Sequence, residues 1–128
     1  RWQILKEKPL TVCDTGHNVG GWEYLSKQLE EIPGTLHIVI GMVGDKDVRK
    51  VISMLPKRAK YYFTQASVAR AMPVGDFAEI AREFGLEGKS YDNVMQAYGE
   101  ASRNATAEDS IFIGGSTFVV ADLLANLL

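Results

Sequence analysis

The sequence predicts one three-layer α/β/α domain, residues 1–128, built on a mostly parallel, Rossmann-like sheet of about six strands. Two observations favour this fold class. Short β-prone runs alternate with amphipathic helical patterns along the chain of 128 residues. The later runs are separated by helices of about ten or more residues, which is the length that a right-handed crossover between parallel strands requires.

The first third of the chain predicts two strands and a helix. Residues 2–6 and 10–14 are β-prone, and the Glu-Lys-Pro segment between them is typical of a turn. From residue 18 to residue 32, apolar side chains recur every three or four positions, which predicts a helix with one buried face. These apolar residues are Val19, Trp22, Leu25, Leu29 and Ile32. Pro33 and Gly34 end the predicted helix.

The middle of the chain predicts a strand, a helix and a second strand. Residues 36–40 form a nearly continuous aliphatic strand that Gly41 closes. The helix that follows is stopped by Pro56. Its apolar residues are Val48, Val51, Ile52 and Leu55. The aromatic run at 61–63 predicts the next strand, and packing in the sheet is sufficient to explain its three rings.

The last third predicts two strands and three helices. Pro73 opens a helix at a position where the missing N–H costs least, and Gly85 is the expected stop. The apolar stripe of this helix is Phe77, Ile80, Ala81 and Phe84. Residues 89–91 predict a weak strand, and Asp92 is the expected N-cap of the next helix. A strand at 110–113 and a helix from Ser116 onward complete the fold.

Composition excludes several classes of function. The 14 Lys and Arg residues face 16 Asp and Glu residues, and a net charge of -2 argues against general nucleic-acid binding. No apolar run approaches the roughly 20 residues of a membrane span. The single Cys13 excludes an internal disulfide and fits a reducing, cytoplasmic compartment. Two histidines, His17 and His37, are too few for a protein-only zinc cage of the usual kind.

Candidate ligand-binding segments follow the predicted strands, because ligands of open α/β sheets gather beyond the carboxyl ends of the strands. These segments are residues 14–18, 41–47, 64–67 and 114–117. In the first, Asp14 emerges at a strand tip, while His17 and Asn18 start a helix whose free N–H groups favour an anion. Simple capping by Asp14 and Asn18, or by Ser116 or Thr117 in the last segment, stays open as an alternative.

Three familiar motifs are missing from the sequence. It contains no G-x-x-x-x-G-K-[ST] phosphate loop, no G-x-G-x-x-G dinucleotide fingerprint and no G-x-S-x-G elbow. The chain also begins with arginine inside a predicted strand, so we expect a piece of a longer protein. Residue chemistry alone therefore predicts only a ligand-binding α/β domain.

Several segments resemble motifs of one family. Residues 14–18, Asp-Thr-Gly-His-Asn, resemble the D-G-A-H-N stretch that opens the C-terminal domain of folylpolyglutamate and dihydrofolate synthases, members of the Mur ligase superfamily. Further resemblances occur in the family's order: Arg1 to a G-R element, 41–47 to G-x-x-x-D-K-D, 69–73 to R-A-x-P, and 115–120 to G-S-x-x-V. Thr-Gly at 15–16 replaces Gly-Ala, and Val19 stands where many relatives have proline.

The resemblance implies an ATP-dependent amide ligase that adds L-glutamate to a folate or dihydropteroate carboxylate through an acyl phosphate. ATP and Mg²⁺ would be held mainly by a preceding N-terminal ATPase domain of the same polypeptide, so the isolated domain is predicted to be inactive. Two rival interpretations remain at this point. One is the C-terminal domain of a peptidoglycan-precursor Mur ligase, and the other is a free-standing, non-catalytic binding module.

The resemblance also implies roles for five residues. Arg1, Asp14 and Asn18 would bind the nucleotide. Asp14, His17 and Ser116 would bind the glutamate. It assigns no catalytic residue and no metal ligand to this chain.

Overall fold

Strands and helices alternate along the part of the chain that the computed structural model describes, residues 2–44 and 47–127. The strands are β1 (Gln3–Glu7), β2 (Leu10–Asp14), β3 (Leu36–Ile40), β4 (Lys60–Phe63), β5 (Gly88–Ser90) and β6 (Ser110–Gly114). The helices are α1 (Val19–Glu30), α2 (Val48–Met54), α3 (Val74–Glu83), α4 (Val94–Asn104) and α5 (Thr117–Leu127). The predicted alternation is confirmed.

The strands form one mixed sheet in the order β1-β2-β6-β3-β4-β5. β1 and β2 pair antiparallel, and every other neighbouring pair is parallel. The register aligns Asp14 with Gly114 and Gly114 with Ile40. Because these residues end their strands, the loops after β2, β6 and β3 leave the sheet at one edge, which we call the carboxyl edge.

Helices cover both faces of the sheet, so the three-layer α/β/α architecture is confirmed. On β3 the side chains alternate between two cores, with Ile38 and Ile40 in one and Val39 in the other. The first core is closed by α1, α2 and α3, and the second by α4 and α5. Buried helix residues of the first core include Trp22, Leu29, Ile52 and Phe77, and those of the second include Val94, Ala97, Val120 and Leu123.

Several elements differ by one or two residues from their predicted bounds. β1 begins and ends one residue later than expected, and β5 begins and ends one residue earlier. β4 begins one residue earlier, β6 ends one residue later, and α1 covers 19–30 of the predicted 18–32. The N-cap of α4 is Asn93, so the prediction of Asp92 is wrong. The Asn93 side chain accepts a hydrogen bond from the Gln96 N–H at 2.9 Å. The Gln96 side chain in turn accepts from the Asp92 N–H at 3.2 Å, which holds Asp92 just outside the helix.

Trp22, predicted to lie on the buried face of its helix, is buried, and so are Cys13 and His37. Trp22 lies in the first core, edge-to-face against the Phe112 ring with centroids 5.8 Å apart. Cys13 is buried on β2, and burial raises the pKa of its thiol. His37 is fully buried on β3. Within the described ranges, none of the helices has the length and apolar composition needed to cross a membrane.

Candidate functional site

The carboxyl edge is shaped by an unusually close approach of backbones after β6. Gly115 has φ +102°, and a Cβ atom on it would lie 2.2 Å from the Gly41 carbonyl oxygen. A Cβ atom on Gly114 would lie 2.8 Å from the Asp14 carbonyl oxygen. Since no larger residue fits at either position, glycine is required for the loops to converge here.

Asp14 lies at the tip of β2 and is almost fully buried. Its Oδ1 atom accepts a hydrogen bond from the Gly16 N–H at 2.8 Å, which closes the turn into α1. Asn18 is the N-cap of α1, and its Oδ1 atom accepts from the Gly21 N–H at 2.9 Å. Both residues therefore have the capping role that was left open. A ligand that bound them would contact side chains that already hold the start of α1.

His17 is exposed between Asp14 and Asn18. Its Nδ1 atom lies 3.3 Å from the Thr15 carbonyl oxygen, so Nδ1 carries the hydrogen when this bond forms. The Nε2 atom is then an acceptor that forms no hydrogen bond to residues 2–44 or 47–127. The bond to the Thr15 carbonyl orients the His17 ring, and the Nε2 atom is then placed to contact a ligand.

Ser116 is buried and is the N-cap of α5. Its Oγ atom accepts a hydrogen bond from the Val119 N–H at 3.1 Å. The N–H groups of Thr117 and Phe118, in the first turn of α5, precede the first intrahelical bond and face the same end of the sheet. Ser116 thus orients a helix N-terminus whose dipole favours an anion.

Four of the five predicted site residues, Asp14, His17, Asn18 and Ser116, line two adjoining clefts. The rim cleft, about 300 Å³, is lined by His17, Val43, Arg70, Ser116, Thr117 and Phe118. The α1 cleft, about 460 Å³, is lined by Trp2, residues 14–18, Gly21, Tyr24, Leu25 and Gln28. His17 lines both clefts. The structure therefore brings His17 together with Ser116 in one cleft and with Asp14 and Asn18 in the other.

Arg70 is the rim-cleft residue to which the sequence reasoning assigned no role. Its guanidinium lies over the Phe118 ring, 5.8 Å from the centroid. It forms no ion pair with a carboxylate in the described ranges. The only sequence signal was the R-A-x-P resemblance at 69–73, which indicated no ligand. An unpaired guanidinium beside a helix N-terminus suits a carboxylate or a phosphate.

Arg1, also predicted to bind the nucleotide, lies outside the described residues, as do Asp45 and Lys46 of the segment at 41–47. Among residues 2–44 and 47–127, no three His, Cys, Asp or Glu side chains form a group that could hold a metal ion.

The mostly parallel sheet, the close-packed glycines at its carboxyl edge and the two polar clefts are typical of a ligand-binding α/β domain. A family model described as "Mur ligase, glutamate ligase domain" matches residues 1–117. The chain belongs to this family, and the resemblance stated from the sequence is confirmed.

The proteins similar in sequence to this chain include dihydrofolate synthase/folylpolyglutamate synthases. The Escherichia coli dihydrofolate synthase/folylpolyglutamate synthase is 33% identical over 126 residues, which cover 97% of this chain and 29% of that protein. The corresponding protein of Buchnera aphidicola subsp. Schizaphis graminum is 26% identical over 129 residues, covering 98% and 30%. This chain thus spans about three tenths of the length of these relatives.

Solved structures of the same group match the fold. E. coli FolC in complex with DHPP and ADP has a TM-score of 0.89 and 31% identity, covering 99% of this chain and 30% of that one. A bifunctional folylpolyglutamate synthase/dihydrofolate synthase with Mn, AMPPNP and L-glutamate bound has a TM-score of 0.88 and 28% identity, covering 99% and 31%. The predicted fold type, that of a Mur ligase C-terminal domain, is thereby confirmed.

Proposed function

We propose that this chain is the C-terminal, glutamate-binding domain of a cytoplasmic ATP-dependent amide ligase. In the proposed reaction, a folate or dihydropteroate carboxylate takes the terminal phosphoryl group of ATP, giving an acyl phosphate and ADP. The amine of L-glutamate then attacks the acyl carbon, phosphate leaves, and the amine loses a proton as the amide forms. The observation that carries this proposal is the rim cleft, where His17, Arg70 and the first turn of α5 meet.

The rim cleft offers the groups that an amino-dicarboxylate needs. The Arg70 guanidinium can donate two parallel hydrogen bonds to one carboxylate. The N–H groups at the start of α5 suit a carboxylate as well, and Ser116 keeps that turn in place. His17 lies between this cleft and Asp14, whose carboxylate suits the ammonium group. Holding the amine beside the acyl phosphate would be the main contribution of this domain.

The nucleotide would lie against the α1 cleft. Asp14 and Asn18 line this cleft at the N-terminus of α1, and Arg1 is assigned by resemblance alone. By the family resemblance, Mg²⁺ and most of the phosphate contacts are assigned to a preceding ATPase domain of the same polypeptide. The fraction of the relatives that this chain spans supports such a neighbouring domain.

The test uses the full-length polypeptide with ATP, Mg²⁺, labelled L-glutamate and either dihydropteroate or a reduced folate. We expect glutamate-dependent ADP release and an amide product identified by mass. Turnover of a UDP-muramoyl substrate offered in place of the folate would support the peptidoglycan-precursor alternative. Residues 1–128 alone are expected to fold and to show no turnover, and turnover by this fragment would contradict the proposed division of the site.

His17→Ala in the full-length polypeptide should lower kcat/KM for L-glutamate by about tenfold or more, because one polar contact to the substrate is lost. Its free energy of unfolding should stay within about 0.5 kcal/mol of wild type, since the ring is exposed. Glu100→Ala, which breaks an exposed ion pair with Arg103 on α4, is the matched control. Wild-type glutamate kinetics in the His17 variant would contradict its assignment.

A further inference from the structure

The loop between β4 and α3, residues 64–73, is fastened to α5 by one carboxylate. The Ser67 N–H donates to Asp122 Oδ2 at 2.7 Å, and the Ser67 hydroxyl donates to Asp122 Oδ1 at 2.9 Å. Both oxygens of Asp122 are therefore engaged by one residue of the loop. Hydrogen bonds to an ionised carboxylate are stronger than those between neutral groups, so this contact is a firm attachment on an otherwise exposed surface.

The same face of α5 also holds the side chain of Arg70. Phe118 and Asp122 are four residues apart, so they lie one above the other on the helix. Phe118 carries the Arg70 guanidinium on its ring, at 5.8 Å. Asp122 fixes the loop backbone three residues earlier, at Ser67. Helix α5 thus holds both the guanidinium and the chain that presents it.

The downstream half of the loop is held differently. The Gly44 N–H donates to the Arg70 carbonyl at 3.3 Å, and the Met72 N–H donates to the Met42 carbonyl at 2.8 Å. Val43 and Ala71 form an antiparallel bridge between these two bonds. This ribbon ties the loop to the chain after β3, which is a different wall of the rim cleft. The loop also packs against α5 through Ala66 and Val68 in the second core, and Asp122 supplies its side-chain hydrogen bonds to that helix, the wall that contains Ser116.

We infer that Asp122 is a positioning residue for the ligation: through Ser67 it sets the distance between Arg70 and the first turn of α5, and hence the width of the rim cleft. This inference rests on the proposed function. Asp122 does not line the rim cleft and would not touch the substrate. Its effect would be on where the Arg70 guanidinium stands when a carboxylate binds.

The experiment compares variants of the full-length ligase. Asp122→Ala should raise KM for L-glutamate by about tenfold or more, because a misplacement of the order of 1 Å has effects of this size, while KM for ATP stays within about twofold. Ser67→Ala keeps the backbone N–H bond and should have a smaller effect. The double variant should resemble Asp122→Ala, since both changes remove one shared contact. Asp122→Asn, which keeps one acceptor oxygen, should recover part of the loss.

Amide hydrogen exchange supplies a readout independent of turnover. Asp122→Ala should speed exchange in residues 66–71 and leave the strands unchanged. Glu100→Ala is the control for loss of a partly exposed carboxylate that lines neither cleft, and it should change neither exchange nor KM. Faster exchange with unchanged KM for glutamate would mean that Asp122 has only a structural role, and this would overturn the inference. Unchanged exchange in Asp122→Ala would overturn it as well. If the wild-type full-length protein does not ligate glutamate, the proposed function itself is refuted, whatever the exchange data show.

Discussion

One histidine lies at the carboxyl edge and another lies near the opposite, amino end of the strands. The two rings differ in burial and in hydrogen bonding. His17, at the carboxyl edge, is exposed, and within residues 2–44 and 47–127 its ring has one hydrogen-bond partner, a backbone carbonyl at 3.3 Å. His37, near the amino end of β3, has no exposed surface, and both ring nitrogens are bonded. A ring whose bonds are all internal holds the fold together, whereas a ring with a free nitrogen beside a cleft can serve a ligand.

The bonds around His37 form one directed chain. The Asn104 amide donates to Tyr62 Oη at 3.2 Å, and Tyr62 Oη donates to His37 Nδ1 at 2.8 Å. His37 Nε2–H donates to Asp109 Oδ2 at 2.9 Å. Burial raises the pKa of the Tyr62 phenol, so it keeps the hydrogen that this chain requires. Every donor has an acceptor when the imidazole carries its hydrogen on Nε2, which is the tautomer the network implies.

The largest effect that would test this contrast is expected from His37→Leu. Leucine leaves the Tyr62 hydroxyl and the Asp109 carboxylate without their shared partner, so the free energy of unfolding should fall by about 3 kcal/mol. His17→Leu should change it by less than about 0.5 kcal/mol. Urea unfolding of both variants measures the difference. Equal losses of unfolding free energy in the two variants would contradict the contrast between a structural His37 and an exposed His17.

A second, smaller effect concerns pH. The hydrogen bond from His37, and then that from the Thr106 N–H, holds the pKa of Asp109 below its ordinary value of 3.8. A carboxyl whose pKa is lowered by folding stabilises the native state above its unfolded pKa, and this stability is lost as pH falls through the folded pKa.

Asp109→Asn should therefore cost about 2 kcal/mol at pH 7, and the difference from wild type should shrink below about pH 4. Unfolding midpoints between pH 7 and pH 2.5 measure this convergence. A difference that stays constant across the range would mean that the charge of the Asp109 carboxylate contributes nothing to the hydrogen bonds around His37.

The smallest effects sharpen the comparison at the two asparagine N-caps. Asn18 caps α1 beside the α1 cleft, and Asn93 caps α4 outside both clefts, each through a 2.9 Å bond from a backbone N–H. Alanine at either position should cost about 1 kcal/mol of stability. In the full-length polypeptide, only Asn18→Ala should also raise KM for ATP. An equal kinetic effect of both variants would assign the Asn18 effect to loss of the helix cap.

The order and type of the elements were predictable because local signals agree with the fold. β2 and β3 have the predicted bounds, since each is an apolar run that ends at a charged residue or a glycine. The sheet order was not predictable in the same way. β6 inserts between β2 and β3 although nearly a hundred residues separate it from β2, and no short-range pattern encodes that pairing. The N-cap of α4 was missed because Asp92 and Asn93 are both good caps, and the Gln96 side chain decides between them.

The site was predictable where it depends on strand ends and not where it depends on loop packing. Asp14, His17 and Ser116 follow from their places after β2 and β6, and the structure places them along the two adjoining clefts. Arg70 lies in a ten-residue connection that is hydrogen-bonded to Asp122, more than fifty residues later in the chain. The contact between Arg70 and Phe118 therefore becomes visible only after the helices have packed.

The antiparallel pairing of β1 links the edge strand of the sheet to the wall of a cleft. Gln3 pairs with Cys13, and Trp2, directly ahead of β1, lines the α1 cleft together with Asp14. The Trp2 ring also packs against the Phe112 ring of β6, with centroids 6.2 Å apart. A change that unpairs β1 would therefore alter one wall of the α1 cleft as well as the margin of the sheet.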